Sequence, residues 1–542
     1  MDRPEPTDAS AGPRLATRRD WLGLAVIALP CMLYAMDLTV LELALPRISE
    51  ELKPSSATLL WIVDIYGFLV AGLLITMGNL GDRLGRRRVL LLGAAGFGAA
   101  SVVAALSRSA GMLIAARALL GIAGATLAPS TLSLLRNMFL HPRQRTFAIG
   151  VWTASYSIGG AMGPLLGGVM LRYFHWSSVF LLAVPVMGLL LLFGPMLLPE
   201  FRDRTAKRLD LGSAALSLAA VLSVIFGLKL MAQQGVAWPP LVSILAGVAL
   251  GGLFARRQLG LDDPLIDVAL LRTATFAGAL ARYMLATLVT FGSYFVVAQY
   301  LQLVADLSPL VAGLWMLPWS ASYVVGSFVA PLLARRLPPT LVMAGGLVLA
   351  ACGFVAVALA ANLGVQAVIV GSTVYSLGMS PVFTLGIDSI LAAAPAARAG
   401  AASGISETAS ELGGALGIAV LGSIGTAIYR GHFSEATLAG VPAAARQGAL
   451  DTLGGAVAAA AQLTADGAQA KLLGTARLAF TEGMRVILLV CAAVSLATAL
   501  GSVIAWRRGR PETVKRGRRT PAGRGPVERT ATCSLGRGAT GC

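Results

Sequence analysis

Four carboxylates interrupt apolar stretches of the chain: Asp37, Asp64, Glu407 and Glu411. An ionised acid in hydrocarbon costs about 2.5–3.5 kcal/mol even on lenient scales, so such residues are rare without a task. Burial favours the protonated form, and an acid so placed can bind and release protons at cellular pH. A cation can then replace the proton as the carboxylate's partner. Glu407 and Glu411 stand one helical turn apart and so share a face. Two such acids in a dry cleft do not both ionise easily, and the pair should titrate as a unit. Trp61, Tyr66, Trp152, Tyr156, Trp315 and Trp319 are candidates for cation–π contacts beside that cleft, with core packing or an interfacial belt as the alternative for each. Asp388 and Glu42 read as residues at span ends.

The elements that must position these acids are apolar blocks of about twenty residues, the helix length that crosses ~30 Å of hydrocarbon. Of the 542 residues, 56% are hydrophobic and only 13% charged, about half the charge of a soluble chain. A large soluble protein is thereby excluded. The blocks number fourteen, at 20–44, 57–78, 88–107, 111–135, 146–170, 177–198, 210–230, 238–255, 276–303, 309–333, 340–360, 365–391, 402–429 and 481–506. With the N-terminus inside, an even count returns the C-terminus inside, and Lys and Arg then concentrate in cytoplasmic segments. Arg88, Arg117, Lys229, Arg282 and Arg485 fall within spans, near their ends.

The net charge of +17 is distributed as topology signals and a basic tail, which argues for anionic lipid and against nucleic acid. Cys31, Cys352 and Cys491 lie in apolar blocks and Cys533 and Cys542 in the tail, so no metal site is expected. The first block continues without a cleavage site, so no removable signal peptide is expected. Residues 430–480 read as an external helical hairpin, with Ala456–Ala461 and Leu472–Leu478 as short helices and a disordered loop as the alternative. Gly159-Gly160-Ala161-Met162-Gly163 in the fifth block recurs as Gly413-Gly414-Ala415-Leu416-Gly417 in the thirteenth. Two six-span halves around an inserted pair make these helices equivalent.

Three motifs carry a resemblance. The loop after the second span reads Gly78-Asn79-Leu80-Gly81-Asp82-Arg83-Leu84-Gly85-Arg86-Arg87-Arg88. It resembles the hallmark of the major facilitator superfamily between its second and third helices. Its glycines permit a tight turn, and Asp82 can pair with the arginines and with helix ends, forming a latch. Arg117 followed by Gly121 and Ala125 is similar to the family's second motif; pairing with an acid on the first span and snorkelling to the surface are both open. Gly159, Gly160, Gly163, Pro164, Gly167 and Gly168 resemble the exporter signature of the superfamily. Gly159, Gly163 and Gly167 share one face and admit a close neighbour, and Pro164 bends the helix.

Met36-Asp37-Leu38-Thr39-Val40-Leu41 and Trp61-Ile62-Val63-Asp64-Ile65-Tyr66-Gly67 look like the fourteen-helix drug:proton antiporters, in the branch that exports quaternary ammonium compounds and cationic dyes. Gln299-Tyr300-Leu301-Gln302 and Ser308-Pro309-Leu310 fit the same branch, although Glu42 replaces a neutral residue and Asp306 a glycine. The resemblance implies an all-α polytopic membrane protein of major facilitator fold. Its parts are a cytoplasmic segment 1–19, a six-helix bundle 20–198, an inserted pair 199–275, a second bundle 276–506 and a disordered basic tail 507–542.

It further implies a proton-coupled exporter of amphipathic cationic drugs, monomeric in the plasma membrane, with no cofactor and the proton gradient as energy source. Asp37, Asp64, Glu407, Glu411 and Arg117 would handle protons and cargo; Gly78, Gly81, Asp82, Arg83, Gly85, Arg86 and Arg87 would form the gate. A dedicated exporter of one metabolite or self-made antibiotic is the alternative. No zinc-protease or nucleotide-binding motif is present and the three histidines lie in loops, which argues against an enzyme and against direct use of ATP.

Overall fold

The computed structural model describes residues 15–52, 56–202, 210–234, 237–261, 264–265, 268–395, 399–433, 441–463 and 466–508. Most of the expected N-terminal segment, and the tail from 509, lie outside the described residues, as do the side chains of Glu42, Pro164 and Lys229. In chain order the helices are α1 (Arg18–Leu52), α2 (Ser56–Leu84), α3 (Arg86–Ala105), α4 (Ala110–Gly124), α5 (Leu127–Met138), α6 (Pro142–Tyr173), α7 (Ser178–Leu181) and α8 (Ala183–Leu197). Next come α9 (Leu211–Gln234), α10 (Trp238–Leu259), α11 (Val268–Arg272), α12 (Ala274–Gln299), α13 (Pro309–Trp315), α14 (Leu317–Leu333), α15 (Pro339–Ala360) and α16 (Val365–Ala393). The last four are α17 (Ala399–Gly431), α18 (Ala443–Asp451), α19 (Leu453–Ala460) and α20 (Asp466–Arg508).

Each of the fourteen apolar blocks is helical. Among the described residues, however, 12 helical rods are both long and apolar enough to cross a membrane. The other two are α6, which mixes Gly, Ser and Thr into its apolar run, and α9, whose apolar part is Gly212–Leu228. The chain is a polytopic all-helical membrane protein.

Close helix pairs follow the glycines. α1 packs on α6, and α12 packs on α17. A Cβ at Gly159 would strike the Met32 carbonyl and one at Gly163 would strike Thr39, both on α1. Gly413 and Gly417 back in the same way against Met284, Thr287 and Leu288 of α12. Side chains at these four positions would force the helices apart, so the repeated Gly-Gly-Ala-x-Gly has a packing cause in both halves. Across the halves, α6 meets α14 and α17 meets α2. There Gly150 lies against the Ser327 carbonyl, and Gly404 against Leu74 and Ile75.

The inserted pair does not stand apart from the bundles. α9 packs on α2, α17 and α10. Its Val221, Leu222 and Ile225 join Phe68 and Ala71 of α2 and Leu412 and Ala415 of α17 in one apolar cluster. It therefore covers the seam between the halves one residue from Glu411. α10 lies outside α9 and exposes Leu245 and Val248.

Between α17 and α20 the chain departs in part from expectation. α18 and α19 are short helices, but Leu472–Leu478 belongs to α20, which runs unbroken for 43 residues. The segment has its own apolar core of Tyr429, Leu453, Ala456 and Leu472, and the Tyr429 hydroxyl donates to the Ala449 carbonyl at 3.1 Å. Burial of this apolar surface holds α18 and α19 against α17 and α20. Asp306 follows a π-helical turn, Tyr300–Val304, with a φ of 56°. That left-handed conformation favours glycine, yet an aspartate holds it here.

Candidate functional site

In the first half, the site begins at Arg117 of α4, whose side chain is 1% exposed. Its Nη1 donates to Asp37 Oδ2 at 2.8 Å, its Nε to the Ile62 carbonyl at 3.1 Å and its Nη2 to the Val63 carbonyl at 3.3 Å. The guanidinium also lies 4.8 Å from the centre of the Tyr66 ring. Arg117 thus points inward rather than to the membrane surface. A buried guanidinium is tolerable only with its charge paired and its donors used, and this one meets both conditions. Asp64, partly buried, follows Val63 on the same turn of α2.

α17 brings the acids of the other half. The Tyr34 hydroxyl of α1 donates to Glu411 Oε1 at 3.0 Å, a bond between the two halves. Glu407 lies one turn away, and its Oε1 has no hydrogen-bond partner among the described residues. Tyr34, Tyr156, Tyr283 and Tyr323 all lie within electrostatic reach of Glu407. Ring contacts link this set into two chains. One runs from Tyr66 through Tyr34 and Tyr156 to Trp152; the other runs from Tyr283 through Phe383 and Tyr323 to Trp319. Two carboxylates from a single helix are therefore lined by aromatic rings of both halves. Carboxylates beside ring faces are an arrangement that can attract a cation.

Three of these tyrosines escape sequence reasoning. Tyr34 had a signal, since it stands three residues before Asp37 on one helix; Tyr283 and Tyr323 had none. Tyr156 lies within electrostatic reach of Glu407, while Trp152 packs in the core against the Tyr156 ring and its indole donates to Thr131 at 3.1 Å. Trp61 is 46% exposed and meets Phe68 instead, and Trp315 packs against the core.

The Gly78–Arg88 loop closes one end of the bundle. Asp82 receives Arg86 Nε at 2.7 Å, and also accepts from the Gly400 and Ala401 amides of α17, each at 3.2 Å. An acid at a helix start uses otherwise unpaired amides and the positive end of the helix dipole. Gly78 lets α2 approach the Gly400 carbonyl, Gly81 sits over Ser130, and Arg83 is buried. Gly85 has a φ of 111°, and a Cβ there would meet the Glu200 carboxylate at 2.6 Å. The Arg87 amide donates to that carboxylate at 3.1 Å.

A second clasp joins the halves at the same end. Arg145 Nε of α6 donates to Asp388 Oδ1 and Thr146 to Asp388 Oδ2, both at 2.7 Å. Asp388 is thus an end residue that also ties α16 to α6. In the exporter-like motif, Gly159 and Gly163 face α1, Gly160 has open space beside it, and Gly168 faces Leu310; Gly167 is buried.

The Major Facilitator Superfamily family model matches residues 27–418. Among curated relatives, the multidrug efflux pump LfrA of Mycolicibacterium smegmatis is 43% identical over 491 residues, covering 90% of this chain and 97% of the relative. The methyl viologen resistance protein SmvA of Salmonella typhimurium is 37% identical over 487 residues, covering 89% and 97%. Among solved structures, the human organic anion transporter MFSD10 (TETRAN) aligns with a TM-score of 0.56 at 16% identity, over 88% of this chain and 100% of that one.

Proposed function

The chain belongs to the major facilitator superfamily of transporters, and from that footing we propose that it is a multidrug efflux transporter exchanging protons for amphipathic cations. The observation that carries this reading is the acidic pair on α17, ringed by tyrosines of both halves, with Glu411 bonded to Tyr34 across the cleft. The names of the relatives LfrA and SmvA support the efflux of drugs and of a dication such as methyl viologen.

The Asp37–Arg117 pair is the proton site in this proposal. Protonation of Asp37 removes the charge that holds Arg117. Arg117 then shifts against the Tyr66 ring and the α2 carbonyls, and so couples proton binding to the wall of the cleft. Cargo at Glu407 and Glu411 displaces Tyr34, which loosens the contact between α1 and α17 and permits the halves to rock. In this proposal the clasps of Asp82 and Asp388 hold the cytoplasmic end shut while cargo leaves outward. The protein acts as a monomer in the plasma membrane with both termini cytoplasmic, driven by the proton gradient without a bound cofactor. Asp64 adds negative charge on α2 for divalent cargo.

The test is Asp37→Asn, read as efflux of a fluorescent cationic dye from vesicles under an imposed pH gradient. Proton-driven efflux should be lost while the variant inserts at normal levels. Full efflux in that variant overturns the proposal.

A further inference from the structure

Arg282 of α12 has no place in the chemistry above. It lies about 12 Å beyond the start of its helix, eight residues in at 1.5 Å each. The side chain is partly buried, yet its Nε has no hydrogen-bond partner among the described residues. Other arginines in the spans have an acid partner: Arg117 has Asp37, Arg86 has Asp82, Arg485 has Glu482, and Arg477, whose Nε is also unbonded, has Asp306 at 4.0 Å. A guanidinium taken from water without an anion is costly, so the geometry calls for a partner from outside the chain.

The side chain shows where that partner lies. Arg282 turns back toward the start of α12, and its Nη1 stands 3.2 Å from where a Cβ on Gly278 would be. Ala274, Thr275, Gly278 and Arg282 recur at helical spacing along one face. Ala274 and Thr275 are exposed and Gly278 has no side chain, so a strip of small or exposed residues leads from the helix start to the guanidinium. Arg272, exposed on α11, adds positive charge at its start. The preceding segment packs at the same end as the Gly78–Arg88 loop, because Asn79 donates to the Leu265 carbonyl at 2.7 Å. Half-buried Leu280 and exposed Ala281 flank Arg282, so apolar side chains border the guanidinium.

We propose that this strip binds the phosphate of an anionic phospholipid of that leaflet, with Arg282 as its ion partner, Thr275 as a hydroxyl donor and Gly278 as the clearance in which the guanidinium lies. Acyl chains then run along the apolar surface of α12, a route not open to a soluble anion. Arginine suits the task, since its planar fork meets two phosphate oxygens at once.

Native mass spectrometry of the full-length protein, titrated with phosphatidylglycerol or phosphatidylcholine, tests this. The wild type should hold one phosphatidylglycerol more tightly than phosphatidylcholine. Arg282→Gln should weaken that lipid about fivefold, which corresponds to ~1 kcal/mol for one arginine at a charged membrane surface. Gly278→Leu keeps the charge but displaces the guanidinium from its place, and should weaken it similarly; Arg282→Lys keeps the charge without the fork and should fall between Arg282→Gln and wild type, and Arg485→Gln should retain all of it. Equal phosphatidylglycerol retention by wild type and Arg282→Gln overturns the proposal. Displacement of the lipid by millimolar inorganic phosphate also overturns it, in favour of a soluble-anion site.

Discussion

Along α6, Gly150, Gly159 and Gly163 let neighbouring helices close in; along α17, Gly404, Gly413 and Gly417 do so at the same spacing. The equivalence extends to partners, since each helix packs on the first rod of its own half and crosses the second rod of the other. At the positions between those glycines the chemistry diverges. Where α17 carries Glu407 and Glu411, α6 carries Thr153 and Ser157. Thr153 lies 3.1 Å from Thr384 and Ser157 donates to the Ser320 carbonyl at 3.3 Å. One copy of the repeat was left as a packed hydroxyl seam; the other became an acidic site. The two helices thus share a backbone frame and differ in the chemistry at two equivalent positions, which on the proposed function sets what the site can hold.

The largest expected effect breaks that asymmetry outright. Glu407→Gln with Glu411→Gln should weaken binding of a dicationic dye by at least about thirtyfold, as removal of a buried charge partner costs ~2–5 kcal/mol. A monocationic dye should suffer less. Thr153→Ala with Ser157→Ala should cost only about fivefold, the ~1 kcal/mol of a hydrogen bond. Dye fluorescence titrations read both. Equal losses for the two double variants mean that α6 is as much a cargo helix as α17.

The two clasps make the next comparison. Asp82 and Arg86 are 9% and 4% exposed, against 17% and 18% for Asp388 and Arg145. Asp82→Ala strands a buried Arg86 and two α17 amides, at about 3–5 kcal/mol. Asp388→Ala acts in a wetter setting and should cost about 1 kcal/mol. Cysteine labelling of the cleft from the Gly78–Arg88 end should therefore rise far more in the first variant. The reverse order would make Asp388 the principal clasp.

How far the sequence foretold this depends on the kind of signal. Apolar block lengths mark where each long helical stretch lies, because membrane spans follow from hydropathy; the short helices such as α11 and α18 carry no such signal. The Gly-Gly-Ala-x-Gly repeat announced the α1–α6 and α12–α17 pairs. Asp37, Arg117, Glu407 and Glu411 stand out because charge in an apolar block is itself the signal. Tyr283 and Tyr323 do not, since a tyrosine in an apolar block says nothing about which way it points. The same holds for α9: its composition marks a helix, while its place over the α2–α17 seam is a tertiary fact. Leu472–Leu478 was read as a separate short helix because polar residues precede the last apolar block; burial against Tyr429 and Leu453 carries α20 through it.

The glycine frame gives a smaller, symmetric prediction. Gly159→Val meets the Met32 carbonyl and Gly417→Val the Leu288 carbonyl, both rigid backbone. Each should cost about 1–3 kcal/mol by overpacking. Thermal unfolding in detergent should show similar losses for the two. Markedly unequal losses would mean that the halves share a sequence echo without a shared packing.

The smallest effect tests whether the inserted pair depends on its exposed ion pair or on the cluster over the seam. Arg257 donates to Asp210 at 2.9 Å, and Ser213 donates at 2.7 Å, next to the start of α9. These bonds, Arg257's foremost, hold the Asp210 carboxyl well below the usual carboxylate range. A depressed carboxyl contributes stability that is fully present above the ~3.9 of a free aspartate. That contribution fades only as pH falls through the folded value, lower still. Asp210→Asn should accordingly lower the unfolding temperature by about 1 °C or less, because exposed pairs contribute little and are screened by salt. The difference should be constant between about pH 5 and 8. Leu222→Ala, within the apolar cluster shared with α2 and α17, should lower it several times more. A larger loss from Asp210→Asn than from Leu222→Ala would place the anchor of the inserted pair at its surface rather than in the seam.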